Sequence, residues 1–229
     1  MTSIADNLAN VRQAVADACT ACGRDVSEVR LLPVSKTHTV TDIDEAISAG
    51  CSQFGENRVQ EMAGKASQLP GVSWVLIGHL QRNKASLACT VMSELQSLDS
   101  LKLAEVLDRW YEQNRPEERL KVLVEVNTSG ESSKSGIPPD DVLDFTQSLY
   151  AYSHLDVQGL MTVAHPDQDL AAAGFAKMAD LRHGLQDRDG GGWHELSMGM
   201  SADFSSAIAH GSTCVRIGTA IFGQRIIIH

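Results

Sequence analysis

The apolar positions along the chain change period once, near residue 30, and that change points to the fold. Before it, Ile4, Leu8, Val11, Val15, Ala18 and Cys22 recur at helical spacing and stop at Gly23, so the chain opens on an amphipathic helix. After it, short apolar runs alternate with longer amphipathic stretches. Strands are predicted near residues 31–36, 52–55, 73–78, 92–97, 120–127, 155–162, 194–198 and 213–218. Helices are predicted over 42–50, 57–67, 82–88, 100–114, 139–152, 169–187 and 202–210, with Leu103, Leu107, Trp110 and Tyr111 the clearest apolar stripe. This alternation predicts an α/β fold, a (β/α)8 TIM barrel with an extra N-terminal helix. A doubly wound open sheet is the alternative, and the lack of a Gly-x-Gly-x-x-Gly after the first strand counts against it.

Side chains two apart on a strand share a face. Leu32, Val34 and Lys36 therefore point one way, and so do Cys214, Arg216 and Gly218, with Val215 and Ile217 turned to the helices. Arg216 is thereby placed in the barrel lumen, where snorkelling or pairing with Glu125 is its plain structural reading. On the fifth strand, Glu125 and Asn127 lie opposite Val122, Val124 and Val126, which puts polar groups inside near the C-terminal end. Barrels of this class gather their sites at that end and bind phosphate with the loops after strands seven and eight. Here those loops carry small residues and hydroxyls, Ser197-Met198-Gly199-Met200-Ser201 and Gly218-Thr219, as an anion cradle requires. Ser201 reads as the N-cap of a helix starting at Ala202, and simple capping is the alternative to anion binding. Lys36 can meet that cradle only if the sheet closes on itself; position alone leaves a surface lysine an equal reading.

Composition narrows the picture further. No linker-like stretch divides the 229 residues, so one domain over 1–229 is expected. A net charge of -10 argues against nucleic acid or an anionic membrane as the main partner. The N-terminus has no basic flank before an apolar core, so neither a signal peptide nor a membrane span is expected, and a cytoplasmic location follows. Five cysteines, an odd number, read as reduced thiols. Cys19 and Cys22 have C-x-x-C spacing but no second ligand pair, and the histidines form no i, i+4 pair, so no metal site is expected.

Several segments occur in a telling order: Val34-Ser35-Lys36, Phe54-Gly55-Glu56-Asn57, Ile77-Gly78-His79-Leu80-Gln81-Arg82-Asn83-Lys84, Ser133-Lys134-Ser135-Gly136-Ile137, Gly159-Leu160-Met161-Thr162, then residues 194–203 and 214–223. Together they resemble the pyridoxal phosphate homeostasis proteins, single-domain relatives of the alanine racemase N-terminal barrel. The resemblance implies that Lys36 forms a Schiff base with pyridoxal 5'-phosphate and that Ser197, Met200, Ser201, Gly218 and Thr219 lie on its phosphate-binding segments. It implies that Arg216 faces the pyridine nitrogen, where an always-charged donor weakens the cofactor as an electron sink. Asn57 is implied near the cofactor, with a turn or capping role as the plain alternative. Lys84 and Lys134 fall on the rim, where solvated lysines are common.

The function implied is buffering or delivery of the cofactor in vitamin B6 homeostasis, without catalysis, with cofactor-dependent apo-enzymes as recipients. A monomer is expected, since the racemases' additional C-terminal β domain is not seen. Two other functions share parts of the pattern. An amino-acid racemase needs a second acid/base opposite the lysine, and Tyr111, Tyr150 and Tyr152 fall in helical stretches. A Schiff-base aldolase would use Lys36 on a sugar phosphate carbonyl. The chain departs from the family at His38, where a second lysine is common, at Arg58, where an aromatic is usual, at Val75, where a histidine is usual, and in its tail, residues 225–229.

Overall fold

The computed structural model describes residues 2–131 and 134–224; Ser133 and the tail at 225–229 lie outside the described residues. Helix α1 (Ile4–Ala21) starts at Ser3, whose hydroxyl accepts the Asp6 N–H while the Asp6 carboxylate accepts the Ser3 N–H. Strands and helices then alternate: β1 (Arg30–Pro33), α2 (Val40–Ser48), β2 (Gln53–Glu56), α3 (Val59–Ala66), β3 (Ser73–Leu76), α4 (Ala85–Val91), β4 (Met92–Leu98) and α5 (Leu101–Asn114). The second half continues with β5 (Leu120–Glu125), α6 (Val142–Leu149), β6 (Leu155–Met161), α7 (Gln168–Asp189), β7 (Glu195–Ser197), α8 (Phe204–Ala209), β8 (Cys214–Ile217) and α9 (Thr219–Phe222).

All eight strands lie in one parallel sheet, ordered β1-β8-β7-β6-β5-β4-β3-β2. A parallel bridge from Val34 to Gly55 joins its two ends, with the Ser35 N–H donating to the Gly55 carbonyl at 3.1 Å. The expected (β/α)8 barrel with a leading helix is therefore the fold found. Most predicted strands overrun at their C-terminal ends, as 31–36 does against Arg30–Pro33, because the chain leaves the ladder there to build the mouth; the second and fourth stop one residue short. One local expectation is corrected. The last predicted helix, 202–210, begins at Phe204, since residues 201–203 form a turn in which the Asp203 carboxylate accepts the Met200 N–H at 2.6 Å. Ser201 is thus not the N-cap of α8; Asp203 occupies that position.

Strand parity sorts the core as the sequence requires. Val122, Val124, Val126, Val215 and Ile217 join the apolar layer between sheet and helices, while Leu32, Val75 and Cys214 form a small separate cluster with Ile77 in the lumen. Full burial of such side chains stabilises by about 1.5–3 kcal/mol each, so most of the stability resides in the outer layer. Helix α1 buries Leu8, Val11, Val15 and Cys19 and packs against α2, α8 and α9, across the seam where β1 meets β8. Polar bonds fasten it: Asn7 Nδ2 donates to the Ile221 carbonyl at 2.9 Å, and Glu45 accepts the Ile4 N–H at 2.8 Å. Among the described residues no helix is long and apolar enough to cross a membrane.

Close strand approach makes Gly159 obligatory, because a Cβ there would overlap the Glu195 backbone carbonyl of β7. Gly159→Ala is expected to lower the unfolding free energy by about 1–3 kcal/mol, read from urea denaturation. An unchanged urea midpoint would mean that β6 and β7 can separate without cost.

Candidate functional site

At the C-terminal ends of the strands lies a cavity of about 250 Å³, lined by Val34, Lys36, Ile77, Met200, Ser201, Ala202, Arg216, Gly218 and Thr219. Lys36, Met200, Ser201, Arg216, Gly218 and Thr219 are thus brought together from the ends of β1, β7 and β8. Asn57 and Ser197 are not on its wall. Asn57 is an exposed residue just after β2, its backbone pressed against Gly78 so closely that a Cβ at 78 would overlap the Asn57 carbonyl. Ser197 is fully buried behind Arg216.

The two loops facing Lys36 are tied to each other and to β1. Gly199 takes a φ of 97°, and a Cβ there would come within 2.7 Å of Ala207 Cβ, so the loop after β7 folds tightly only with glycine. The Gly199 carbonyl accepts the Arg216 N–H at 3.0 Å, and the Ile217 carbonyl accepts the Val34 N–H at 2.8 Å. The first N–H groups of α9, at Thr219 and Ala220, have no acceptor within the helix. With the Ser201 and Thr219 hydroxyls on the same cavity, this donor set suits a phosphate group.

Arg216 is 4 % exposed, and its guanidinium is well satisfied. Nη1 donates to the Ser197 carbonyl and to Ser197 Oγ, both at 2.7 Å, and Nη2 donates to the Thr162 carbonyl at 2.8 Å. Burial pulls its pKa below that of an ordinary guanidinium. Its bonded partners are therefore Ser197 and Thr162, not Glu125. Behind it the bonds continue: Ser197 Oγ donates to Gln96 Oε1 at 2.7 Å, and Gln96 Nε2 donates to Glu94 Oε1 at 2.6 Å. Glu94 also receives Arg30 at 2.8 and 2.9 Å. A hydrogen-bonded chain thus runs through the lumen from the base of β1 to the cavity. Sequence reading misses Glu94 and Gln96; the available signal is their two-residue spacing on β4, which puts both on one face of the strand.

Beside this cavity lies a second, of about 180 Å³, lined by Glu125, Val126, Asn127, Lys134, Ser135 and Val163. Glu125 is 8 % exposed, and its Oε2 has no hydrogen-bond partner. Burial pushes its carboxyl up to about 7, helped by Asp99 and opposed by Arg216 and His79. Lys134 pairs with Glu131 at 2.8 Å, and Lys84 ends a short 3-10 turn, Arg82–Lys84. His38 stacks on Phe222 of α9 with ring centroids 5.0 Å apart. Val75 belongs to the lumen cluster, and Arg58 is exposed at the start of α3.

A closed parallel barrel with a lysine after its first strand and small-residue, hydroxyl-bearing loops after its last two defines the class of this protein. The chain belongs to the family described as alanine racemase, N-terminal domain, which matches residues 2–226, and within it to the pyridoxal phosphate homeostasis proteins. The protein of that name from Pasteurella multocida is 43 % identical over 97 % of this chain and 98 % of its own length. That from Pseudomonas aeruginosa is 39 % identical over 98 % of this chain and 97 % of its own. Among solved structures, PipY of Synechococcus elongatus with PLP bound matches with a TM-score of 0.84 at 34 % identity, covering 96 % of this chain and 100 % of that one.

Glu125 holds its proton to higher pH when folded than the ordinary 4.5, so its contribution to stability is full below about 4.5 and is lost as pH rises through about 7. Glu125→Gln, which lacks the titrating group, is expected to lose about 2–3 kcal/mol less stability than the parent protein between pH 4.5 and 8. Urea titrations at the two pH values measure this; equal losses in both proteins would refute it.

Proposed function

We propose that this protein holds pyridoxal 5'-phosphate as a Schiff base on Lys36 and serves vitamin B6 homeostasis in the cytoplasm, buffering the cofactor or delivering it to apo-enzymes. The observation that carries this reading is the convergence, in one cavity, of Lys36, two hydroxyl-bearing loops and a buried arginine. The names of the relatives and the cofactor bound to PipY support it. In this reading one barrel domain spans the chain and works as a monomer, binding neither nucleic acid nor membrane.

Each residue then has a task. The amine of Lys36 adds to the cofactor aldehyde, a C=N bond forms and water leaves. Ser201, Thr219 and the backbone of Met200 and Gly218 hold the phosphate. Arg216 faces the ring nitrogen, with Ser197 fixing the guanidinium from behind and Asn57 standing at the rim. A guanidinium there leaves the ring nitrogen unprotonated, which favours holding the cofactor over carbanion chemistry. Against a racemase, Tyr111 is buried in α5, while Tyr150 and Tyr152 line a different cavity with Trp193; none is on the Lys36 cavity.

Borohydride reduction of the protein loaded with pyridoxal phosphate is expected to leave a pyridoxyl group on the Lys36 peptide and none in Lys36→Ala, as read by mass spectrometry. Full-yield labelling of Lys36→Ala would overturn the assignment. Replacing Ser201 by alanine and Thr219 by valine together is expected to weaken binding by about tenfold or more, as two charged hydrogen bonds imply. Unchanged affinity in a fluorescence titration would move the phosphate elsewhere.

A further inference from the structure

The backbone on both sides of Lys36 is gripped by charged groups that do not line the cavity. Lys65 of α3 is 7 % exposed, and its ammonium donates to the Ser35 carbonyl at 2.8 Å, to Glu56 Oε1 at 2.7 Å and to Glu61 Oε1 at 2.7 Å. Ser35 Oγ donates to the same Glu56 oxygen at 2.7 Å. On the far side of Lys36, Glu61 Oε1 accepts the Thr37 N–H. The residue before Lys36 and the residue after it are therefore held by one buried cluster on α3 and β2.

What this cluster holds is a strained turn. The Ser35 carbonyl also accepts the His38 N–H at 3.0 Å, which closes a four-residue turn with Lys36 and Thr37 at its centre. Thr37 has a φ of 67°, left-handed backbone that suits glycine and that a β-branched residue rarely adopts. Such a conformation persists only where its surroundings impose it. The Thr37 N–H on Glu61 and the Ser35 carbonyl on Lys65 are two of the bonds that hold it here.

We propose that Glu61 and Lys65, with Glu56 between Lys65 and Ser35, are positioning residues that fix the Ser35–His38 turn and so aim Lys36 into the cavity. The proposal rests on the reading of Lys36 as the cofactor lysine. Once the phosphate is docked, attack by the amine is effectively unimolecular, so its yield depends on how narrowly the lysine is aimed. Loosening the turn then lowers covalent capture while leaving the phosphate loops intact.

Glu61 is the safer group to alter, because its side chain is 23 % exposed whereas Glu56 is fully buried. Glu61→Ala removes the acceptor for Thr37; Glu61→Gln keeps an oxygen there. In Glu61→Ala, pyridoxal phosphate affinity and the borohydride-trapped fraction on Lys36 are expected to fall about tenfold. The melting temperature of the cofactor-free protein is expected to stay near the parent value, and Glu61→Gln to recover most of the loss. Should Glu61→Ala fold poorly, the double variant Glu61→Ala, Thr37→Gly decides. Glycine takes the left-handed turn unaided, so capture should return. Undiminished trapping in Glu61→Ala, or no recovery in both Glu61→Gln and the double variant, would overturn the positioning role. If the parent protein itself gives no adduct on Lys36, the reading of Lys36 fails instead.

Discussion

The pairing of β1 with β8 is the contact on which the site depends. Its register sets Arg30 against Cys214 and Pro33 against Ile217, and the Val34 N–H extends it by one more bond to the Ile217 carbonyl. Only then do Lys36, just past β1, and the Gly218-Thr219 loop, just past β8, face the same space. Helix α1 adds no residue to the cavity, yet it covers this seam, bridging α2, α8 and α9. A sheet joined through residues from opposite ends of the chain forms slowly, because loop closure precedes the contacts that reward it. The leading helix and its bonds to Glu45 and Ile221 reinforce that joint.

Inside the barrel, polar and apolar filling are separated. Leu32, Val75, Cys214 and Ile77 pack together on one part of the lumen, and Arg216, Ser197, Gln96 and Glu94 bond in series through another. A buried guanidinium is tolerable only when its donors are used, and three of its contacts go to Ser197 and Thr162. Glu56 and Glu125 are exceptions, each a buried carboxyl with one oxygen left without a partner. Both stand at the last position of their strands, β2 and β5, at the end of the barrel where the cavity opens.

Most of the architecture was legible in the sequence, because period and strand parity are local signals. Parity alone placed Arg216 in the lumen and Val215 and Ile217 beneath the helices, and the structure agrees. Ser201 reads as an N-cap in sequence, but the turn at 201–203 depends on Asp203 reaching back to the Met200 N–H, a choice that composition does not reveal. The resemblance puts Ser197 on a phosphate-binding segment, and what it does not reveal is that the hydroxyl bonds Gln96 and Arg216. The Glu61–Lys65 pair shows ordinary helical i, i+4 spacing and reads as a surface pair. Its burial comes from Ser35 and Glu56 on other elements, which no local window contains.

The bonds along the lumen also have a direction. From the cavity, Arg216 donates to Ser197, Ser197 to Gln96 and Gln96 to Glu94; from the opposite end, Arg30 donates to Glu94 as well. Both runs of donors therefore end on a single carboxylate, and each side chain between has its hydrogen-bonding sense dictated by its neighbours. Such a series tolerates little drift at single positions. Lineages of this fold should inherit residues 94, 96 and 197 as a set, altering them together or not at all.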